Sequence, residues 1–388
     1  MTTIALALVL IPVGLSAYSL VLYPILLKLI GMTRAAPSSP SDPAEWPTIT
    51  ITIPAYNEAG TIARTLEGLL ALDYPTDRRE ILVVSDASTD GTDDIVRTFA
   101  DRGVQLLRLP VRSGKTAAEN AAATRLRGEI IVNTDATIRI PPNALKPLIR
   151  VFNDPTIGVA SGRDVSVGDR AAEANRGESG YVDYEMWVRD LETRLGSIVG
   201  ASGCLYAIRR DIHDTLFPSA LSRDFATALI AKTYGLRAVS VPEAVCLVPR
   251  ARSLRAEFGR KSRTMARGLE TLWYKRSLLN PARHGLFAWK LASHKLARWL
   301  VFLFAPGALL GLGILAPRYP LALWLLVAAG IGTVLGLLAI VWPGRPPRLL
   351  AMFGFALVSA SAGFVAWTKA LRGELNPIWE PTRRPSAT

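Results

Sequence analysis

Four polar clusters punctuate the chain between residues 54 and 137. Pro54-Ala55-Tyr56-Asn57-Glu58 comes first, then Ser85-Asp86-Ala87-Ser88-Thr89-Asp90-Gly91-Thr92, then Gly114-Lys115-Thr116, then Thr134-Asp135-Ala136-Thr137. Carboxylates suit a hard divalent cation or a ribose hydroxyl, while an ammonium and helix N-termini suit phosphate. Together they suit a nucleotide diphosphate held with Mg2+ or Mn2+. Each piece also has a plainer reading. Asp86–Thr92 reads as a capped turn, Asp135 as an N-cap and Lys115 as a solvated charge. Gly114-Lys115-Thr116 is not a P-loop, because position 109, where a Gly is required, is Leu. The information lies in the joint, ordered occurrence.

The elements between these clusters explain their spacing. Thr48–Pro54 alternates with period two and reads as a strand. Ile62, Leu66, Leu69 and Leu70 mark a helix face. Glu80–Ser85, Val104–Leu109 and Glu129–Thr134 read as further strands. Thr89–Ala100, Thr116–Leu126 and Pro141–Phe152 read as helices. Such alternation predicts a doubly wound α/β domain, a parallel sheet with helices on both faces. Ligands then bind beyond the C-terminal ends of the strands, where every cluster falls.

The 388 residues are 50% hydrophobic and only 20% charged, which excludes disorder and predicts a membrane protein. Residues 1–27 carry no charge, and Ile4–Leu27 reads as a spanning helix with its C-terminal end in the cytosol. Trp299–Pro317, Tyr319–Gly344 and Leu349–Thr368 are further uncharged runs, each near the ~20 residues a bilayer requires. Gly307/Gly311 and Gly332/Gly336 suit close helix packing. Four spans would leave the C-terminus outside, yet Lys369, Arg372, Arg383 and Arg384 favour the inside. Either one late run is not a full span or the charge rule fails. The net charge is +13, and residues 250–298 hold 13 basic and 2 acidic side chains. Leu254, Phe258, Met265, Leu269, Leu272, Trp273 and Leu278 lie among them, so the segment reads as an amphipathic helix on an anionic membrane surface rather than a nucleic-acid binder. The expected organisation is a transmembrane helix (1–30), a Pro/Ser linker (31–46), the α/β domain (47–250), the basic interface segment (251–298), transmembrane helices (299–370) and a basic tail (371–388). Two cysteines, Cys204 and Cys246, are too few for a disulfide framework. His213, His284 and His294 show no metal spacing and read as structural. Uncharged late runs disfavour a transporter.

The ordered segments resemble the inverting family 2 glycosyltransferases, of GT-A fold. PAYNEAGTIARTLEGLLALDYP (54–75), VVSDASTDGTDDIV (83–96), SGKTAAENAAA (113–123) and NTDATIRIPPNAL (133–145) look like successive segments of that family. GASGCLYAIRRD (200–211) and SRDFATAL (222–229) look like its acceptor side, and WEPTRR (379–384) like the tail of membrane-embedded polysaccharide or glycolipid synthases. The resemblance implies that Asp86 holds the base or ribose beside Pro54–Glu58 and Ser88. It places Lys115 near the nucleotide, Asp135 at the metal and diphosphate, and Asp224 as general base. Gly203 permits close approach of an acceptor, and Arg260 and Arg263 could meet phosphates of the donor or of a lipid acceptor. Three motifs depart from the family. Thr137 stands where a second aspartate is common, Arg223-Asp224 replaces a Glu-Asp pair, and Arg260–Thr264 keeps only Arg263 of the processive Gln-x-x-Arg-Trp signature. The expected reaction is transfer of a sugar from a UDP- or GDP-linked donor to a lipid-linked or growing glycan acceptor at the cytosolic face of the cell membrane. The alternatives are a non-processive transferase acting on a polyprenyl phosphate and a catalytically idle sugar-nucleotide sensor.

Overall fold

The computed structural model describes residues 1–34, 40–167, 174–249, 254–344 and 346–374. Part of the linker, residues 251–253 and the WEPTRR tail lie outside the described residues.

Seven described strands form one sheet in the order β3-β2-β1-β4-β6-β5-β7. They are β1 Ile49–Ala55, β2 Arg79–Ser85, β3 Val104–Arg108, β4 Ile130–Thr134, β5 Ile157–Val167, β6 Leu205–Arg209 and β7 Arg237–Pro249. The helices are α1 Thr2–Ala17, α2 Tyr23–Met32, α3 Ile62–Leu70, α4 Thr92–Arg97, α5 Lys115–Ala122, α6 Leu145–Arg150, α7 Ala174–Arg194, α8 Arg210–His213, α9 Arg223–Thr233, α10 Leu254–Tyr274, α11 Pro281–Leu291, α12 Arg298–Leu315, α13 Pro320–Val341 and α14 Arg348–Arg372.

The TITITIP alternation yields β1, but both of its faces are buried. Ile49, Ile51 and Ile53 pack with Ile62, Leu66 and Leu69 of α3. On the opposite face Thr50 donates to Glu80 Oε2 at 2.7 Å and Thr52 to Asn133 Oδ1 at 2.7 Å. The threonines are therefore satisfied by neighbouring strands, not by water, as a central strand requires. A second apolar layer, including Leu82, Val84, Ala118, Ala122, Ile131 and Ile208, covers that face.

The four strands read from the alternation are parallel as expected, and the second half of the domain adds an antiparallel strand. β1 to β4 are parallel, but β6 runs antiparallel to both β4 and β5. β6 inserts between β4 and β5, although helices still separate the strands beyond residue 152.

Among the described residues, four helical segments are long and apolar enough to cross a membrane: Thr2–Met32, Pro281–Leu315, Pro320–Val341 and Arg348–Arg372. The first is one continuous helix, α1 joined to α2 through the π-helical turn Tyr18–Leu22. α1 lies against α12, where a Cβ on Gly311 would sit 2.7 Å from the Ala5 carbonyl oxygen, so the glycine sets the close approach. Tyr23 and Leu27 are fully buried against Val188 and Leu191 of α7 and Leu195 just beyond it. The run predicted as one membrane span is thus a single helix whose last turns pack against the sheet domain.

A buried ionic dock fixes that junction. Glu185 and Glu192 of α7 hold the two ring nitrogens of His294 at 2.8 and 2.7 Å. Lys295 and Arg298 reach Glu185 at 3.1 and 2.8 Å, and Tyr23 donates to Glu192 Oε1 at 2.5 Å. Val199 N donates to the remaining Glu192 oxygen at 3.2 Å. His294 carries no metal spacing in the sequence, and its two carboxylate partners lie over a hundred residues away.

Candidate active site

Because β1 to β4 are parallel, their C-terminal ends share one edge, and the four polar clusters meet there. The first two brace each other. Asn57 takes a left-handed backbone (φ 53°), and its Oδ1 accepts from Thr89 N at 2.8 Å. Asn57 N donates to Ser88 Oγ at 3.1 Å and Glu58 N to Thr92 Oγ1 at 2.8 Å. Glu58 Oε2 accepts from Thr61 at 2.7 Å. Pro54 and Ala55 are buried within β1. Of this expected nucleotide loop, Asn57 is exposed and Tyr56 half-buried, with the Arg112 guanidinium 3.9 Å from the Tyr56 ring centroid. Arg112 was not singled out in the sequence, although it stands three residues before Lys115.

Asp86 is buried, and its two oxygens accept from Ser113 N at 2.6 Å and Gly114 N at 2.8 Å. It fixes the turn that launches α5. Lys115, the first residue of α5, then reaches Asp135 Oδ1 at 2.5 Å and the Gly203 carbonyl at 3.2 Å. Burial works against the Lys115 charge, but Asp135, Glu119 and Asp224 outweigh it and hold its pKa above the ordinary lysine value. Asp224 sits in the first turn of α9, with Ser222 donating to its Oδ1 at 2.6 Å. Its Oδ2 lies 2.8 Å from where a Cβ on Gly203 would be, so only glycine leaves this carboxylate its place. Lys115, Asp135, Gly203 and Asp224 therefore form one group.

Glu119, one helical turn beyond Lys115, is fully buried, and neither carboxylate oxygen has a hydrogen-bond partner. Burial raises its pKa, against the opposing charges of Lys115 and Arg223. Its i+4 spacing from Lys115 was the available signal for its place. Arg267 was also missed. Its Nη2 donates to Thr116 Oγ1 at 2.7 Å and to the Leu221 carbonyl at 2.5 Å, tying α10 to the segment before Asp224. Arg263, one turn earlier, depresses the Arg267 pKa, though burial is the larger cause. Arg260 instead grips Glu257 of its own helix at 3.0 and 2.6 Å.

Among the described residues no group of three or more His, Cys, Asp or Glu forms a ready metal cage. Asp135 offers one half-buried carboxylate, and Thr137 a hydroxyl two residues on. That donor set fits a hard cation that takes its other ligands from a diphosphate and water. A hollow lined by Glu45, Trp46, Arg78, Glu129 and Arg209 lies at the opposite end of the strands and gathers none of these groups.

The family description "Glycosyl transferase family 2" matches residues 50–217, which span the four clusters and Gly203. This stretch is a family 2 glycosyltransferase domain. The glycosyltransferase domain has the GT-A fold. The mannosyltransferase PcManGT of Pyrobaculum calidifontis, solved with GDP-Man and Mn2+, superposes with a TM-score of 0.73 at 25% identity, covering 96% of this chain and 99% of that one. An N-acetylglucosaminyltransferase of Mesorhizobium japonicum is 27% identical over 238 residues, 55% of this chain and 54% of its own length. A beta-monoglucosyldiacylglycerol synthase of a Nostoc species is 26% identical over 173 residues, 44% of this chain and 37% of its own. The chain spans about half the length of the curated relatives it matches.

Proposed function

We propose that the protein is a membrane-bound inverting glycosyltransferase. It takes a sugar from a nucleotide-diphosphate donor and passes it to a lipid-linked or growing glycan acceptor at the cytosolic membrane face. The observation that carries this reading is the Lys115–Asp135–Gly203–Asp224 group at the strand ends. Tyr56 and Arg112 offer a flat, cationic surface to the base, and Asp86 holds the turn that presents Lys115. Asp135 would hold Mg2+ or Mn2+, which when bound neutralises charge developing on the diphosphate. Lys115 adds a fixed cation on the same side. Asp224 accepts the proton of the acceptor hydroxyl as it attacks, a contribution of about 10²–10⁴-fold. One base acting in a single displacement inverts the anomeric centre, and no second nucleophilic carboxylate is required.

The PcManGT resemblance over nearly the whole chain makes GDP-mannose the first donor to try, and the glycolipid synthase resemblance makes a lipid the first acceptor. Purified protein in membrane lipid, screened with radiolabelled GDP- and UDP-sugars, should release nucleoside diphosphate with at least one donor and form a labelled product. A sizing gel then separates single addition from polymerisation. Donor binding without release under every condition would favour a sugar-nucleotide sensor instead.

A further inference from the structure

We propose that α14 is not a transmembrane span. It lies along the membrane surface on the side of the glycosyltransferase domain, seated on that leaflet's lipid, so the chain crosses the bilayer three times and emerges from α14 on the domain side. This rests on the reading that α1, α12 and α13 cross the membrane.

The start of α12 marks the domain side. Arg298 is held by Glu185 of α7, and the Trp299 ring stands edge-on to Phe225 of α9, 5.9 Å between centroids. The other end of α12 marks the far side, where Leu312 and Leu315 cluster with Ala5 and with Ala322 of α13. α13 therefore starts on the far side and returns.

Both halves of α14 meet the domain side. Near its C-terminal end, Trp367 Nε1 donates to the Trp299 carbonyl at 2.8 Å, Gly363 fits against Phe302, and Ala366 packs with Ala266 and Leu269 of α10. Near its N-terminal end, Gly354 fits against Leu254 of α10 and against Ala339, close to the end of α13. Leu254 thus pairs with Gly354, and Ala266 with Ala366. The equal advance means that the two helices run parallel, side by side, for about 18 Å. α10 carries Arg255, Arg260, Lys261, Arg263 and Arg267 along this length. Such a helix stays out of hydrocarbon, and its neighbour must lie at the same level.

The remaining face of α14 suits lipid. Leu349, Met352, Phe364 and Leu371 are exposed, while Ala351, Gly354, Val358, Ala362 and Ala366 are buried against protein. Lys369 and Arg372 in the last turn match the phosphates of a leaflet surface. The arrangement removes the conflict between four apolar runs and a basic C-terminal segment.

Single cysteines at Asp101, Arg318 and Glu374, all exposed, test this in sealed vesicles of the full chain, with unaltered protein as the blank. An impermeant thiol reagent should label Asp101→Cys and Glu374→Cys from one side and Arg318→Cys from the other. Glu374→Cys labelled with Arg318→Cys, opposite Asp101→Cys, would overturn the proposal alone. Asp101→Cys and Arg318→Cys on one side would overturn it together with the reading beneath it. A nitroxide on Ala356→Cys should sit at headgroup depth; a position near the midplane, about 15 Å deeper, would also overturn it.

Discussion

The molecule contains two buried groups of carboxylates and cations with opposite habits. In the dock between α7 and the segment around His294, all four oxygens of Glu185 and Glu192 are partnered. In the crevice, Glu119 has no partner for either oxygen, and Asp224 is held through one oxygen by Ser222. A saturated network fixes geometry, whereas an unsaturated one keeps capacity for a ligand or a proton. On the proposed reading, the dock belongs to architecture, joining the glycosyltransferase domain to the apolar helices, and the crevice to chemistry.

Substitutions can break this contrast. The largest effect is expected from Asp224→Asn, which should lower transfer by about 10²–10⁴-fold while donor binding persists. Release assays beside a binding isotherm check both halves; wild-type turnover would remove Asp224 from its role. Next comes the dock. Glu192→Ala leaves His294 and the Tyr23 hydroxyl without their shared acceptor and should cost about 3–5 kcal/mol, seen as a lower melting temperature in detergent. Gly203→Ala should leave stability nearly unchanged but push Asp224 aside, reducing kcat by about 10²-fold. A loss of stability without loss of rate would reverse the assignment of Gly203.

The smallest effect sharpens the contrast through pH. His294 and its neighbours hold the Glu185 and Glu192 pKa values below the usual 4.5, despite burial. Their stabilisation is present above that value and is lost as pH falls through the folded-state values. Glu119 is raised instead, so its contribution is full below 4.5 and lost as pH rises through its folded-state value. Melting curves across pH should therefore show a decline as pH rises above 4.5 that Glu119→Gln reduces and an acid-side decline that it leaves intact. A Gln variant with the wild-type slope on both sides would show that Glu119 does not titrate there.

The two groups also differ in how far sequence reveals them. The crevice was legible because strand–helix alternation carries Asp86, Lys115 and Asp135 to one edge at predictable intervals. Asp224 came from motif resemblance, and its neighbour Gly203 from a small-residue segment. Asn57, Glu58 and Asp86 were legible as residues of the edge, but their bonds to neighbouring loops were not, because those partners depend on how successive turns face each other. The dock was invisible because Glu185 and Glu192 read as ordinary polar positions on an amphipathic helix. The antiparallel β6 was equally hidden, since a short apolar run says nothing about its direction.

Calorimetric titration of the donor with and without Mn2+ probes the crevice most directly. Wild-type protein should bind a nucleotide-diphosphate sugar more tightly with the cation, and Asp135→Ala should lose that dependence. Equal affinity in both proteins, with or without the ion, would contradict a metal–diphosphate site at Asp135.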